Sequence, residues 1–187
     1  MYYYYMYKLK SSKTVHKSKW MIVYEDSVID EKKVIVGMFN RINVDDAATL
    51  VPIFEDGSLL MVENYRHSAS TNLLELPGGL IRGKEEEQLE EPSDTAKREL
   101  LEETGYTCDT LQFINWFYTW PGRATQRNFV FIAKGLKKTQ LKQNLEKFEY
   151  LKVCKIGREQ LMRELKNGRI KSAVTISALL FGYFIAS

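Results

Sequence analysis

Residues 98–105 read Arg-Glu-Leu-Leu-Glu-Glu-Thr-Gly, and no other stretch restricts the chain as much. Wound into a helix at about 100° per residue, Glu99, Glu102 and Glu103 fall within an arc of about 100°. Glu99 and Glu103 are i,i+4 neighbours and Glu102 lies three positions after Glu99. Like charges stacked this way destabilise an isolated helix. A divalent, oxygen-seeking cation resolves the repulsion, and Mg²⁺ held by a few carboxylates and a substrate phosphate is the common case. Arg98, four residues before Glu102, can pair with that carboxylate and fix its rotamer. Ala96 and Leu100 lie on another side and can face a core. A solvated acidic face is the ordinary alternative. The glycine pair Gly78-Gly79 weighs against it, because such a turn lets main-chain groups approach a ligand closely.

The surrounding pattern is that of an α+β chain. "WMIVYEDSVID" and "KKVIVGMFNRI" read as strands around a polar turn, and "AATLVPIFEDGSLLMVENYR" reads as a hairpin turning at Asp56-Gly57. "NLLELPGG" is a short strand stopped by proline and glycines. "EPSDTAKRELLEETG" has helix chemistry: Pro92 suits a first turn, Ser93 or Asp94 can cap, and Gly105 ends it. "LQFINWFYTW", "RNFVFIAKGL" and "EYLKVCKI" are strands. "GREQLMRELKNG" and "IKSAVTISALLFGYF" close the chain as helices. At 187 residues the chain fits one main domain, divided here into an arm over 1–19, N-terminal strands over 20–45 and a catalytic domain over 46–187. The net charge of +3 is too small to argue for nucleic acid or a membrane surface. No run approaches about eighteen apolar residues, so no membrane span is expected. Cys108 and Cys154 have neither zinc nor disulfide spacing, and a reducing cytoplasm is the default compartment.

With those residues in place, segment 78–106 resembles the Nudix box, G-x5-E-x7-R-E-U-x-E-E-x-G-U, where U is bulky and apolar. Gly79 supplies the first glycine, and Arg98, Glu99, Leu100, Glu102, Glu103, Gly105 and Tyr106 supply the second half. The middle departs from the pattern. Glu85 satisfies G-x5-E but then stands five residues too early for Arg98, whereas Glu90 satisfies E-x7-R. Glu90 is taken as the box glutamate, since loops absorb insertions more readily than helices. Glu85 is the alternative. "ENYRHSASTNLLELPGG" and "LKNGRIKSAVTISALL" resemble the corresponding parts of ADP-ribose pyrophosphatases, and Pro121 stands sixteen residues past Gly105, near a proline typical of that group.

The resemblance implies a Nudix fold of mixed β-sheets sandwiched by helices. It implies hydrolysis of ADP-ribose or a related nucleoside diphosphate sugar to AMP and ribose 5-phosphate, with Mg²⁺ or Mn²⁺ as the cofactor. Glu99 and Glu103 become the primary metal ligands, with Glu102, Glu90 and the Gly78 carbonyl assisting, and Arg98 orienting the carboxylates. Arg66 matches a phosphate-contacting arginine, for which a planar guanidinium is suited; a surface arginine at a strand end is the plain reading. Glu75 either orients Arg98, approaches the metal or is a simple strand residue. For a general base, Glu146 is preferred to Glu149, which begins a strand. Trp20 and Phe39 are the aromatic residues proposed to stack on adenine, with Pro121 also lining the substrate. Small-molecule nucleotides are the expected partners, with a homodimer joined through the N-terminal strands and no membrane or nucleic-acid partner. The competing classes are hydrolysis of another nucleoside diphosphate derivative, a non-catalytic nucleotide-binding module, and an RNA-end processor using the Lys–Tyr-rich arm.

Overall fold

The computed structural model describes residues 7–83, 89–140, 143–145 and 151–186. Glu85, Glu146, Glu149 and most of the N-terminal tyrosine run lie outside the described residues. The chain divides into two compact units. The first comprises the N-terminal segment to Asp45 together with Tyr118–Arg127. It contains an antiparallel meander of β1 (Lys8–Lys17), β2 (Ile22–Ile29) and β3 (Ile35–Asn43). The arm assigned to residues 1–19 therefore contributes a full strand. A polar tie crosses the meander. Asp26, buried on the central strand, accepts from Ser12 Oγ of β1 at 2.6 Å and from Arg41 Nε of β3 at 2.6 Å. The Arg41 bond, helped by Ser12 and opposed by burial, holds the Asp26 carboxyl below its usual range. Segment 118–127 joins the end of β3 through Ile42 N–H to Arg123 O at 2.7 Å and Thr125 N–H to Ile42 O at 3.0 Å.

The second unit holds β4 (Ala47–Pro52), β5 (Leu59–Arg66), β6 (Thr71–Glu75), β7 (Gly78–Leu80), α1 (Pro92–Thr104), β8 (Tyr106–Thr107) and most of β9 (Thr110–Tyr118) and β10 (Arg127–Lys134). It is completed by β11 (Lys137–Lys138), β12 (Leu151–Ile156), α2 (Arg158–Lys166) and α3 (Ala173–Leu179), the last continued by a π-helical turn over Leu180–Ile185. One sheet runs β7-β4-β10-β9, with β4 and β10 parallel; a second runs β12-β5-β6. All six residues of β4 are buried. Its alternation sends Val51 to one face, with Val130, Ile132, Leu161 of α2 and Leu179 of α3, and Ala48 and Leu50 to the other, with Ala96 and Leu100 of α1. The sheet is thus covered by helices on both faces, the α+β sandwich expected of the chain.

Two expectations of local structure need correction. The stretch through Asp56-Gly57 turns as expected, with Phe54 N–H bonded to Ser58 O at 2.9 Å and Gly57 at a positive φ of 75°. It does not make a hairpin ladder. Only the Ile53–Leu59 bridge forms before β4 and β5 diverge into different sheets. Both edges of β4 are already taken, by β7 and β10, so β5 has no open ladder to join. The start of α1 also differs: Glu91 is the N-cap and Pro92 the first helical residue, with no side-chain cap from Ser93 or Asp94. The fixed φ of Pro92 sets the first turn instead. Among the described residues no helix is long and apolar enough to cross a membrane.

Candidate active site

The box residues come together where α1 faces β7. Proline and two glycines break the strand after Glu75 and let the main chain run close beneath the helix. A Cβ on Gly78 would collide with the Ala48 carbonyl of β4, and one on Gly79 would collide with the Glu99 carboxylate. Glycine at 79 is therefore what allows Glu99 to lie against the backbone. Glu103, only 6 % exposed, accepts from Gly78 N–H at 2.9 Å. Leu100, between these two carboxylates, is fully buried and anchors the opposite side of the helix.

Arg98 joins the rest. Its Nη1 donates to Glu99 Oε1 at 2.6 Å and to Glu102 Oε2 at 3.0 Å, the i,i+4 pair expected from the spacing. Its Nη2 donates to the Leu80 carbonyl at 3.2 Å, fixing helix to strand. A two-pronged pair binds Glu90, Nε to Oε1 at 2.9 Å and Nη2 to Oε2 at 3.1 Å. Glu90 also accepts from the buried Thr95 hydroxyl at 2.8 Å and from Arg82 N–H at 3.1 Å. Burial pushes the Glu90 carboxyl up, but Arg98, the Arg82 amide and Thr95 overcome it and bring the pKa down from 4.5 to about 2. Burial likewise works against the Arg98 charge, and Glu90, Glu99 and Glu102 outweigh it, holding the guanidinium above its ordinary range.

The oxygen-only donor set of Glu99, Glu102 and Glu103 beside the glycine cradle fits a hard divalent cation in kind. Among the described residues no three carboxylates, thiols or imidazoles stand around one point as a formed metal cage; Arg98 bridges Glu99 and Glu102 instead. Glu75, 5 % exposed, binds Arg66 Nε at 2.8 Å. Of the readings held for it, this pairing supports neither the orientation of Arg98 nor a place at the metal. Arg66 itself is half exposed at the end of β5, braced on one side by that pair.

Sequence reasoning passed over Arg82, Thr95, Gln143 and Asn144. The Gln143 amide donates to the Glu103 carbonyl, and Asn144 N–H to the Glu102 carbonyl at 2.9 Å, so this segment caps the last turn of α1. Nothing in the sequence spacing signals these contacts, which depend on how the chain returns to the helix.

In the N-terminal unit a cleft of about 440 Å³ is lined by Asp26, Phe39, Arg41, Tyr118, Pro121 and Arg123 among others. It brings together Phe39 and Pro121. Trp20 does not line it. It sits half exposed in the β1–β2 turn with Lys19 Nζ 4.7 Å from its ring centre.

The Glu90 network makes acid stability a readout. Its folded pKa lies below the unfolded value, so the stabilisation is present above about pH 4.5 and is lost as pH falls toward 2. Glu90→Gln is expected to lower unfolding free energy by about 1–3 kcal/mol at pH 7. Urea titrations at pH 7, 5 and 3 should show the gap from wild type narrowing with acid; a gap that stays constant would contradict the pairing.

Comparison with known proteins identifies the family. The family model described as NUDIX domain matches residues 44–176. The chain is 32% identical over 135 residues to an ADP-ribose pyrophosphatase of Bacillus subtilis (strain 168), covering 72% of this chain and 70% of that protein. It is 27% identical over 177 residues to a methanol dehydrogenase activator of Bacillus methanolicus, covering 85% and 93%. A crystal structure of an ADP compounds hydrolase superposes with a TM-score of 0.80 at 22% identity, over 95% of this chain and 92% of that one, and shares its fold. The chain belongs to the Nudix family, as a pyrophosphohydrolase of the ADP-ribose pyrophosphatase-like kind.

Proposed function

We propose that the protein hydrolyses the pyrophosphate bond of ADP-ribose or a related nucleoside diphosphate sugar, releasing AMP and, from ADP-ribose, ribose 5-phosphate. The observation that carries the reading is that Arg98 joins Glu99 and Glu102 while Glu99 and Glu103 lie against the Gly78-Gly79 turn. In this reading Glu99 and Glu103 hold Mg²⁺ or Mn²⁺, with Glu102 and the Gly78 carbonyl in support. Such a cation neutralises pyrophosphate oxygens and makes the phosphorus a better target for water. Glu90 acts through Arg98, since both its oxygens already accept hydrogen bonds. Arg66, pre-oriented by Glu75, is assigned to a phosphate. Glu146, which lies outside the described residues, is assigned as the general base. The cleft with Phe39 and Pro121 is assigned to the nucleoside end.

The relative from Bacillus subtilis bears the name of this activity, which favours ADP-ribose among nucleoside diphosphate sugars. The free thiols Cys108 and Cys154 fit a reducing compartment such as the cytoplasm. A homodimer through the N-terminal meander is supported by the large apolar residues that it exposes, including Leu9, Val15, Ile35 and Met38.

Phosphate-release assays over ADP-ribose, other sugar nucleotides, dinucleotides and nucleoside triphosphates with Mg²⁺ test the substrate. ADP-ribose should be turned over fastest; failure on every diphosphate-linked substrate would sink the reading. Glu103→Gln keeps an acceptor for Gly78 N–H and should fold normally, yet lower kcat by at least about a hundredfold. Near-normal turnover in this variant would remove the metal assignment. Light scattering at micromolar concentration should give the mass of a dimer, and a monomer would defeat that part.

A further inference from the structure

Arg82 stands between the glycine turn and the acidic stretch, and its backbone is held at both ends by one residue. Its N–H donates to Glu90 Oε2 at 3.1 Å, and Glu90 N–H donates to its carbonyl at 2.9 Å. Those bonds fix where the Arg82 side chain starts, whatever is attached at Cβ. From there its Nη2 comes within 3.6 Å of Glu102 Oε2, the same oxygen that accepts from Arg98 Nη1 at 3.0 Å. One carboxylate oxygen therefore faces two guanidinium groups. Arg98 is mostly buried and tied to five acceptor sites' worth of local structure through Glu90, Glu99, Glu102 and Leu80, whereas Arg82 is 53 % exposed and ion-paired here with Glu102. It is the replaceable cation of the pair.

We propose that Arg82 is a positioning residue that restrains Glu102 and opposes divalent-cation binding in the substrate-free enzyme. This rests on the reading of Glu102 as part of the cation site. A positive charge 3.6 Å from a ligand oxygen competes with any cation that needs that oxygen. The half-exposed position limits the effect, because water and salt screen it. Arg82 thereby keeps Glu102 oriented but incompletely available until a negatively charged pyrophosphate offers its guanidinium another partner.

The test is calorimetric titration of the substrate-free full chain with Mn²⁺, after melting curves have verified each variant. Arg82→Ala should lower the dissociation constant by about two- to fivefold, the scale of an exposed ion pair. Arg82→Glu should lower it further, and Arg82→Lys should fall between wild type and Arg82→Ala. The differences should shrink as NaCl rises from about 0.05 to about 0.5 M. A merely structural role would weaken binding in every variant, and equal or weaker binding in Arg82→Ala and Arg82→Glu overturns the proposal. If wild type binds Mn²⁺ and Glu103→Gln does not, the cation site stands whichever way Arg82 falls. Absence of binding to wild type overturns both.

Discussion

The guanidinium of Arg98 is the contact on which the site depends. It reaches the Leu80 carbonyl of β7, both oxygens of Glu90, and one oxygen each of Glu99 and Glu102. Without it, Glu99 and Glu102 would stand three residues apart on one side of α1 with their mutual repulsion unrelieved, and Glu90 would lose its partner. With it, strand, loop end and helix form one unit, and Glu99 is held against the glycine backbone. A lysine could not replace this arrangement, because an ammonium lacks the planar fork that grips Glu90 with two parallel bonds. Removing either partner would strand a mostly buried charge, which costs far more than the pair contributes when intact.

The platform beneath the site comes from ordinary packing. β4 is buried on both faces and flanked on both edges, and the turn at Pro77-Gly78-Gly79 is tied to it by the Leu50 N–H bond to the Pro77 carbonyl. Ala96 and Leu100 fix the inner face of α1 against that sheet, leaving Glu99, Glu102 and Glu103 to face β7 and its surroundings. A close glycine contact recurs at the other face. A Cβ on Gly182 would lie 2.7 Å from Val51 Cγ2, so glycine lets the C-terminal helical segment approach β4.

Much of this was legible in the sequence because it is local. The carboxylate arc follows from helical spacing alone, as does the Arg98–Glu102 pair. The box match to Gly79, Arg98, Glu99, Glu102 and Glu103 identified family and fold. What escaped depends on contacts between distant segments. A strong Asp56-Gly57 turn signal reports the turn but not which strands later compete for an edge, so the supposed hairpin opens into two sheets. Glu75 and Arg66 are nine residues apart and sit at opposite ends of the β5–β6 ladder, opposite Val62 and Thr71, so their bond depends on the Arg66 side chain reaching back along the pair rather than on any motif. Gln143 and Asn144 meet α1 only because the chain folds back on it.

The irregular middle of the box receives a physical account from the same network. Glu90, eight residues before Arg98, grips it with both oxygens, and Arg82 N–H and carbonyl bond to the Glu90 carboxylate and N–H. We propose on this basis that Glu90 is the box glutamate and that the additional residues are inserted in the sequence between Arg82 and Glu90. The most direct measurement is ADP-ribose turnover and Mg²⁺ dependence after deletion of residues 84–88, which brings Gly79 and Glu90 to G-x5-E spacing while keeping E-x7-R intact. Turnover within about threefold of wild type, with unchanged Mg²⁺ dependence, is the predicted result, since loop length itself carries little free energy. Loss of turnover or of Mg²⁺ dependence in a deletion variant that melts like wild type would show that the excised residues, Glu85 among them, belong to the site, and would contradict the account.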